Sequence, residues 1–109
     1  MGSYREAYAM EIVDANHKET LVAATKHVVQ FSQNTTRVRI TLHSATTTMI
    51  QIVARDAGAG LAWDNDLTQI YMTTQYETID LTNIFFGQFD VVFYSAGTPT
   101  ISYIGFGED

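Results

Sequence analysis

Cysteine is absent from this chain of 109 residues, which excludes disulfide bridges and thiolate metal sites. Basic residues are scarce. Six Lys and Arg stand against 12 Asp and Glu, for a formal net charge of −6. Such a surface repels phosphate backbones, and no basic stripe offsets it, so nucleic acid is not the expected partner. No apolar run approaches the ~18 residues that a membrane-spanning helix needs, and no membrane role is expected. The opening Met1-Gly2-Ser3-Tyr4-Arg5-Glu6 is polar, unlike the basic-plus-apolar pattern of a leader peptide. Also missing are a Gly-x-Ser-x-Gly elbow, a phosphate-cradling glycine loop and a dinucleotide fingerprint. The three histidines, His17, His27 and His43, stand at no familiar ligand spacing. Glu77 and Asp80 fall on opposite faces of one strand and cannot work as a catalytic pair. The expectation is a non-enzymatic protein without a cofactor.

What the chain does have is threonine, β-branched residues and alternation. In Thr36–His43, Val38, Ile40 and Leu42 fall on one side while Arg37, Arg39, Thr41 and His43 fall on the other. That period of two marks a strand with one buried and one wet face. After a short Ser/Ala/Thr turn, Thr48–Arg55 repeats the alternation less purely, so the two halves read as a hairpin of an antiparallel sheet. Tyr8–Val13, Lys26–Phe31, Leu67–Met72 and Tyr76–Leu81 read as further strands, with Asp14–Thr20 as a polar loop between the first two. Phe89–Tyr94 and Thr100–Ile104 read as a closing hairpin around Ser95–Pro99. Seven or eight short strands with turn signals between them and no convincing helix predict an all-β, antiparallel β-sandwich. A jelly roll of about eight strands is the preferred topology. The hydrophobic content of 46% is enough for one folded domain, expected over residues 8–109 behind an N-terminal arm at 1–7.

The longest expected loop, Asp56–Asp66, gathers two glycines and three aspartates. Asp56, Asp64 and Asp66 are hard oxygen donors of the kind calcium selects, but the EF-hand pattern is missing and solvated loop carboxylates are the favoured reading. Trp63, with Asp64, Asn65 and Tyr71 near it in sequence, is the one grouping suited to a sugar. An exposed indole stacks on a pyranose ring while polar neighbours bond its hydroxyls; the competing reading has Trp63 folded back as a cap over the open end of the sandwich.

The strand opening Arg37-Val38-Arg39-Ile40, the strand ending at Leu81, the closing pair Phe89–Ile104 and the Gly-Phe-Gly-Glu-Asp finish give a layout that resembles the jelly-roll decoration, or cement, proteins of tailed-phage capsids. The resemblance covers roughly two thirds of the chain as a strand pattern. It implies a viral structural protein on the outer surface of the virion, bound to the major capsid protein or another shell protein, oligomeric, and made in the host cytoplasm. Its contacts would come from apolar and basic surface residues: Tyr4, Tyr8, Arg37, Arg39, Trp63, Phe85 and Phe86. The alternative is a small carbohydrate-binding module or lectin-like domain using Trp63, Asp64, Asn65 and Tyr71.

Overall fold

A strand that is apolar on one side needs a second layer to bury that side. In the computed structural model of the chain, which describes residues 10–55 and 66–108, eight strands among the described residues supply the two layers. They are β1 (Met10–Thr20), β2 (His27–Val29), β3 (Thr35–Leu42), β4 (Thr48–Ala54), β5 (Asp66–Met72), β6 (Thr78–Thr82), β7 (Phe89–Tyr94) and β8 (Thr100–Glu108). Sheet A has the order β1-β8-β3-β6 and sheet B the order β2-β7-β4-β5. Every pairing is antiparallel. Of the connections between successive strands, only β4–β5 joins neighbours in one sheet; each of the others crosses to the opposite sheet. This is the jelly roll expected from the strand spacing.

Two expected hairpins are corrected by that topology. β3 and β4 do not pair: β3 lies in sheet A between β8 and β6, and β4 in sheet B between β7 and β5. The closing strands β7 and β8 are likewise split between the sheets. In both cases the apolar sides of successive strands face each other across the core instead of lying side by side. Val38, Ile40 and Leu42 of β3 are buried against Ile50 and Ile52 of β4, with Val91, Phe93 and Ile101 in the same cluster. β4 alternates poorly because it is covered on both sides: Gln51 and Val53, which point away from the core, are as buried as Ile50 and Ile52. A strand buried on both faces reads as a nearly continuous apolar run.

The segment Asp14–Thr20, expected as a loop, is the second half of β1, and the first strand begins at Met10. Its turn-forming residues are absorbed as register shifts at Ile12/Asp14 and Asp14/His17. The irregularity is anchored by Asp14, whose Oδ2 accepts hydrogen bonds from the Thr35 hydroxyl at 2.7 Å and the Ser32 amide at 3.1 Å. β8 can run between β1 and β3 because it carries two glycines. A Cβ at Gly105 would sit 2.9 Å from Asp14 Oδ2, and one at Gly107 would strike the Asn34 carbonyl. The expected strand over Lys26–Phe31 is reduced to the short β2.

One end of the sandwich is held by Arg55, just beyond β4. Its Nε donates to Asp90 Oδ1 at 2.6 Å. Its terminal nitrogens donate to the carbonyls of Gly87 (2.9 Å), Phe86 (3.0 Å), Phe31 (3.3 Å) and Phe89 (3.4 Å). One guanidinium thus satisfies backbone oxygens from the link after β2 and from the corner before β7. Asp90 is 1% exposed, and the Gln30 side-chain amide is its second donor at 3.4 Å.

Candidate functional site: the outward face of sheet A

The outward side of sheet A is set by register. Arg37 sits beside Phe106 and Thr82, Arg39 beside Ile104 and Asp80, and Thr41 beside Ser102 and Thr78. These rows place the wet side chains of β3, β8 and β6 on one surface, because directly paired residues point the same way. Lys18 of β1 pairs with Ser102 and joins them. By contrast, Val92, Gln51 and Val53 on the outward side of sheet B are buried, while Tyr71 and Val28 on its edge strands are exposed, so at mid-sheet it is sheet A that is open.

Its chemistry is cationic and aromatic. The Arg37 guanidinium lies over the Phe106 ring at 4.3 Å and that of Arg39 at 5.7 Å, contacts worth ~0.5–1 kcal/mol each at such sites. Arg39 also donates to Asp80 Oδ1 at 3.0 Å. Both partners of that pair are well exposed, so it orients the guanidinium more than it stabilises the fold. Arg37 differs. Among the described residues it has no carboxylate partner, and its Nε is buried without a hydrogen bond. At the far end of the strip the His43 ring bonds the Ser102 hydroxyl at 2.9 Å and meets Tyr76 edge-on at 6.2 Å. Tyr76 holds φ at 67°, a conformation disfavoured for a bulky side chain. Its amide donates to the Leu42 carbonyl at 2.6 Å, and the Glu77 carboxylate accepts the Thr73 and Thr74 amides. The turn therefore holds the Tyr76 ring outward, 68% exposed.

Arg37 and Arg39 share this face, as the alternation predicts. Phe85 is exposed and stands elsewhere, in the link between β6 and β7. Phe86 is a correction: it is fully buried, packed edge-on against Phe31 at 5.9 Å, and offers no surface to a partner. Two adjacent phenylalanines in an irregular link point in different directions, and composition does not show which one turns inward. Tyr71 lies on the opposite sheet, 58% exposed, beside Met49 and Tyr94 along a shallow trough of about 300 Å³. Tyr4, Tyr8, Trp63, Asp64 and Asn65, the arm at 1–7, and Asp56 of the calcium reading lie outside the described residues. Asp66 opens β5, with its side chain outside them. Among the described residues no group of three or more His, Cys, Asp or Glu is placed to hold a metal ion.

Sequence reasoning missed one polar cluster. Glu19 of β1 accepts from the Tyr103 hydroxyl of β8 at 2.5 Å and meets His27 of β2 at 2.9 Å, while His17 stacks on the Tyr103 ring at 5.5 Å. Burial, then the hydrogen bond to Glu19 and its charge, push the Tyr103 phenol well above its ordinary range. Reading Asp14–Thr20 as a loop hid this cluster, because the alternation of His17 and Glu19 about β8 has meaning only within a strand. The neighbouring cleft, lined by His17, Gln30 and Tyr103 among others, holds about 80 Å³. Small-molecule sites occupy ~300–1,000 Å³, so the cluster acts as a clasp between the edges of the two sheets.

No protein-family model matches the chain, and no curated protein matches it. Solved structures do. The tobacco streak virus coat protein shares 10% identity over 98% of this chain and 91% of its own, with a TM-score of 0.58. A protein of Bacillus endospore appendages, which form a family of disulfide-linked pili, shares 12% over 92% and 88%, with a TM-score of 0.57. A de novo designed double-stranded β-helix shares 15% over 87% and 99%, with a TM-score of 0.50. At these identities the likeness establishes the jelly-roll fold of the chain.

Proposed function

We propose that the chain is a non-enzymatic structural subunit, and specifically a decoration protein that binds the outer shell of a tailed-phage capsid. The observation that carries this reading is the outward face of sheet A, a surface bearing cations backed by an aromatic ring. Such a surface suits a protein partner better than a small substrate, which calls for a concave and largely apolar site. The coat protein and the pilus protein of the same fold are consistent with it. A subunit that binds the mature shell and not its disassembled form shifts the balance towards the mature shell. Repetition over many equivalent positions makes modest contacts collectively strong. The partner is then the major capsid protein or another shell protein, on the outside of the virion. The test is fractionation of the producing cells' particles on a density gradient. The chain is expected in the particle band; recovery only in the soluble pool contradicts the proposal.

A second reading, carbohydrate binding, draws on the trough beside Tyr71, where Met49 and Tyr94 add apolar surface. It predicts glycan-array signals that disappear in Tyr71→Ala. A blank array removes it.

A further inference from the structure

We propose that the outward face of sheet A docks onto carboxylates of a second copy of this chain, and that this contact is heterologous, so that copies join head to tail. The inference rests on the reading of the chain as an assembling subunit and names the surface that it uses. Of the five basic side chains in the described residues, Arg55 is committed to Asp90 and to backbone carbonyls. Lys18, Arg37 and Arg39 stand together on one face, where Asp80 is the one described acidic side chain. The described side chains of that face sum to a positive charge, on a chain whose formal charge is −6.

Arg37 is the centre of this surface. Its Nε is buried and Phe106 backs its guanidinium, so the group is held in place by the sheet itself. A planar guanidinium fixed in advance loses little entropy on accepting a carboxylate, and pairs with it in two parallel hydrogen bonds. None of the described side chains supplies that carboxylate. The five acidic side chains that are described all have partners: Asp14 with Ser32 and Thr35, Glu19 with Tyr103 and His27, Glu77 with the Thr73 and Thr74 amides, Asp80 with Arg39, and Asp90 with Arg55.

Charge identifies the occupant. A second copy approaches this face as a net anion, and attraction between opposite patches steers the encounter. It cannot present the same face in return, because like charges would then meet across the contact. A two-fold dimer through this face is therefore disfavoured, and a heterologous contact closes into a ring or extends as a filament. Without cysteine, such a contact involves no disulfide.

Sedimentation velocity over a concentration series tests this. In low salt, wild-type sedimentation coefficients should rise with concentration beyond the dimer. They should fall back towards the monomer at ~0.5 M salt, where screening confines the attraction to a few ångströms. Arg37→Glu should weaken the association roughly tenfold or more, and Arg37→Gln, which keeps the stem, should weaken it less. Unchanged melting temperatures separate loss of contact from loss of fold. Added at a tenth of the total, Arg37→Glu should also shorten wild-type assemblies, because it keeps its acidic surface and caps one end. Association that is unchanged in both variants overturns the choice of face while leaving assembly intact. A dead-end two-fold dimer overturns the head-to-tail geometry. A wild type that stays monomeric yet sediments with particles overturns the self-contact and leaves shell binding standing.

Discussion

Arg55→Met removes the guanidinium that the corner of the sandwich is built on while keeping an unbranched apolar stem. The Asp90 carboxylate, 1% exposed, would lose its 2.6 Å partner and retain only the Gln30 amide at 3.4 Å. The carbonyls of Phe31, Phe86, Gly87 and Phe89 would each lose a donor. Breaking a buried ion pair from one side costs about 3–5 kcal/mol, mainly because the other charge stays buried. That is a large share of the ~5–15 kcal/mol by which domains of this kind are stable. In a domain of this size the melting temperature should fall by about 15–25 °C. Denaturant unfolding followed by far-UV circular dichroism measures the change directly. The double substitution Arg55→Met, Asp90→Leu should recover most of the loss, since an apolar pair of similar volume leaves no charge behind. A cost below about 1 kcal/mol, the level of an ordinary surface change, would refute the assignment of Arg55 as the pin of this corner.

The two adjacent phenylalanines give a sharp contrast. Phe86→Ala should cost about 3–5 kcal/mol through the lost burial and the cavity left beside Phe31, whereas Phe85→Ala, at a position 69% exposed, should stay within ~0.5 kcal/mol of wild type; equal effects would contradict their placement. Tyr103 provides a pH signature. Burial, then the bond to Glu19 and its charge, raise its pKa above the ordinary 10.0, so the fold favours the neutral phenol. That stabilisation is fully present below pH 10 and is lost as the pH rises through the range above it. Unfolding measured from pH 8 to 11 should show wild type losing stability above about pH 10 more steeply than Tyr103→Phe; parallel curves would refute the coupling of Tyr103 to Glu19.

The sandwich and its strand number were legible because alternation reports burial one strand at a time. Val38, Ile40 and Leu42 declare an inner side whatever pairs with them. Pairing itself was not legible. A five-residue link such as His43–Thr47 suits a hairpin and a crossing between sheets equally well, and only the packing of β3 over β4 decides between them. In sequence β1 looks shorter than it is, because Asp14, Asn16 and Lys18 give its second half the composition of a loop. The structure keeps them in the strand with register shifts on either side of Asp14, which is tied to Ser32 and Thr35. Of the candidate site, the shared face of Arg37 and Arg39 followed from a period of two. That Phe106 lies beneath both guanidinium groups did not, since it depends on the register of β8 against β3, a strand distant in sequence. Tyr76 was assigned to a strand and stands instead in a turn, at a positive φ that nothing in its identity announces.

The central claim is that copies of this chain join through a cationic sheet face. Electron microscopy of the purified wild-type protein in low salt, concentrated and then diluted into high salt, addresses it most directly. Rings or filaments that vanish on addition of salt, and that Arg37→Glu fails to form, are the predicted result. A uniform field of monomers at every concentration, or assemblies indifferent to both salt and Arg37, would contradict it.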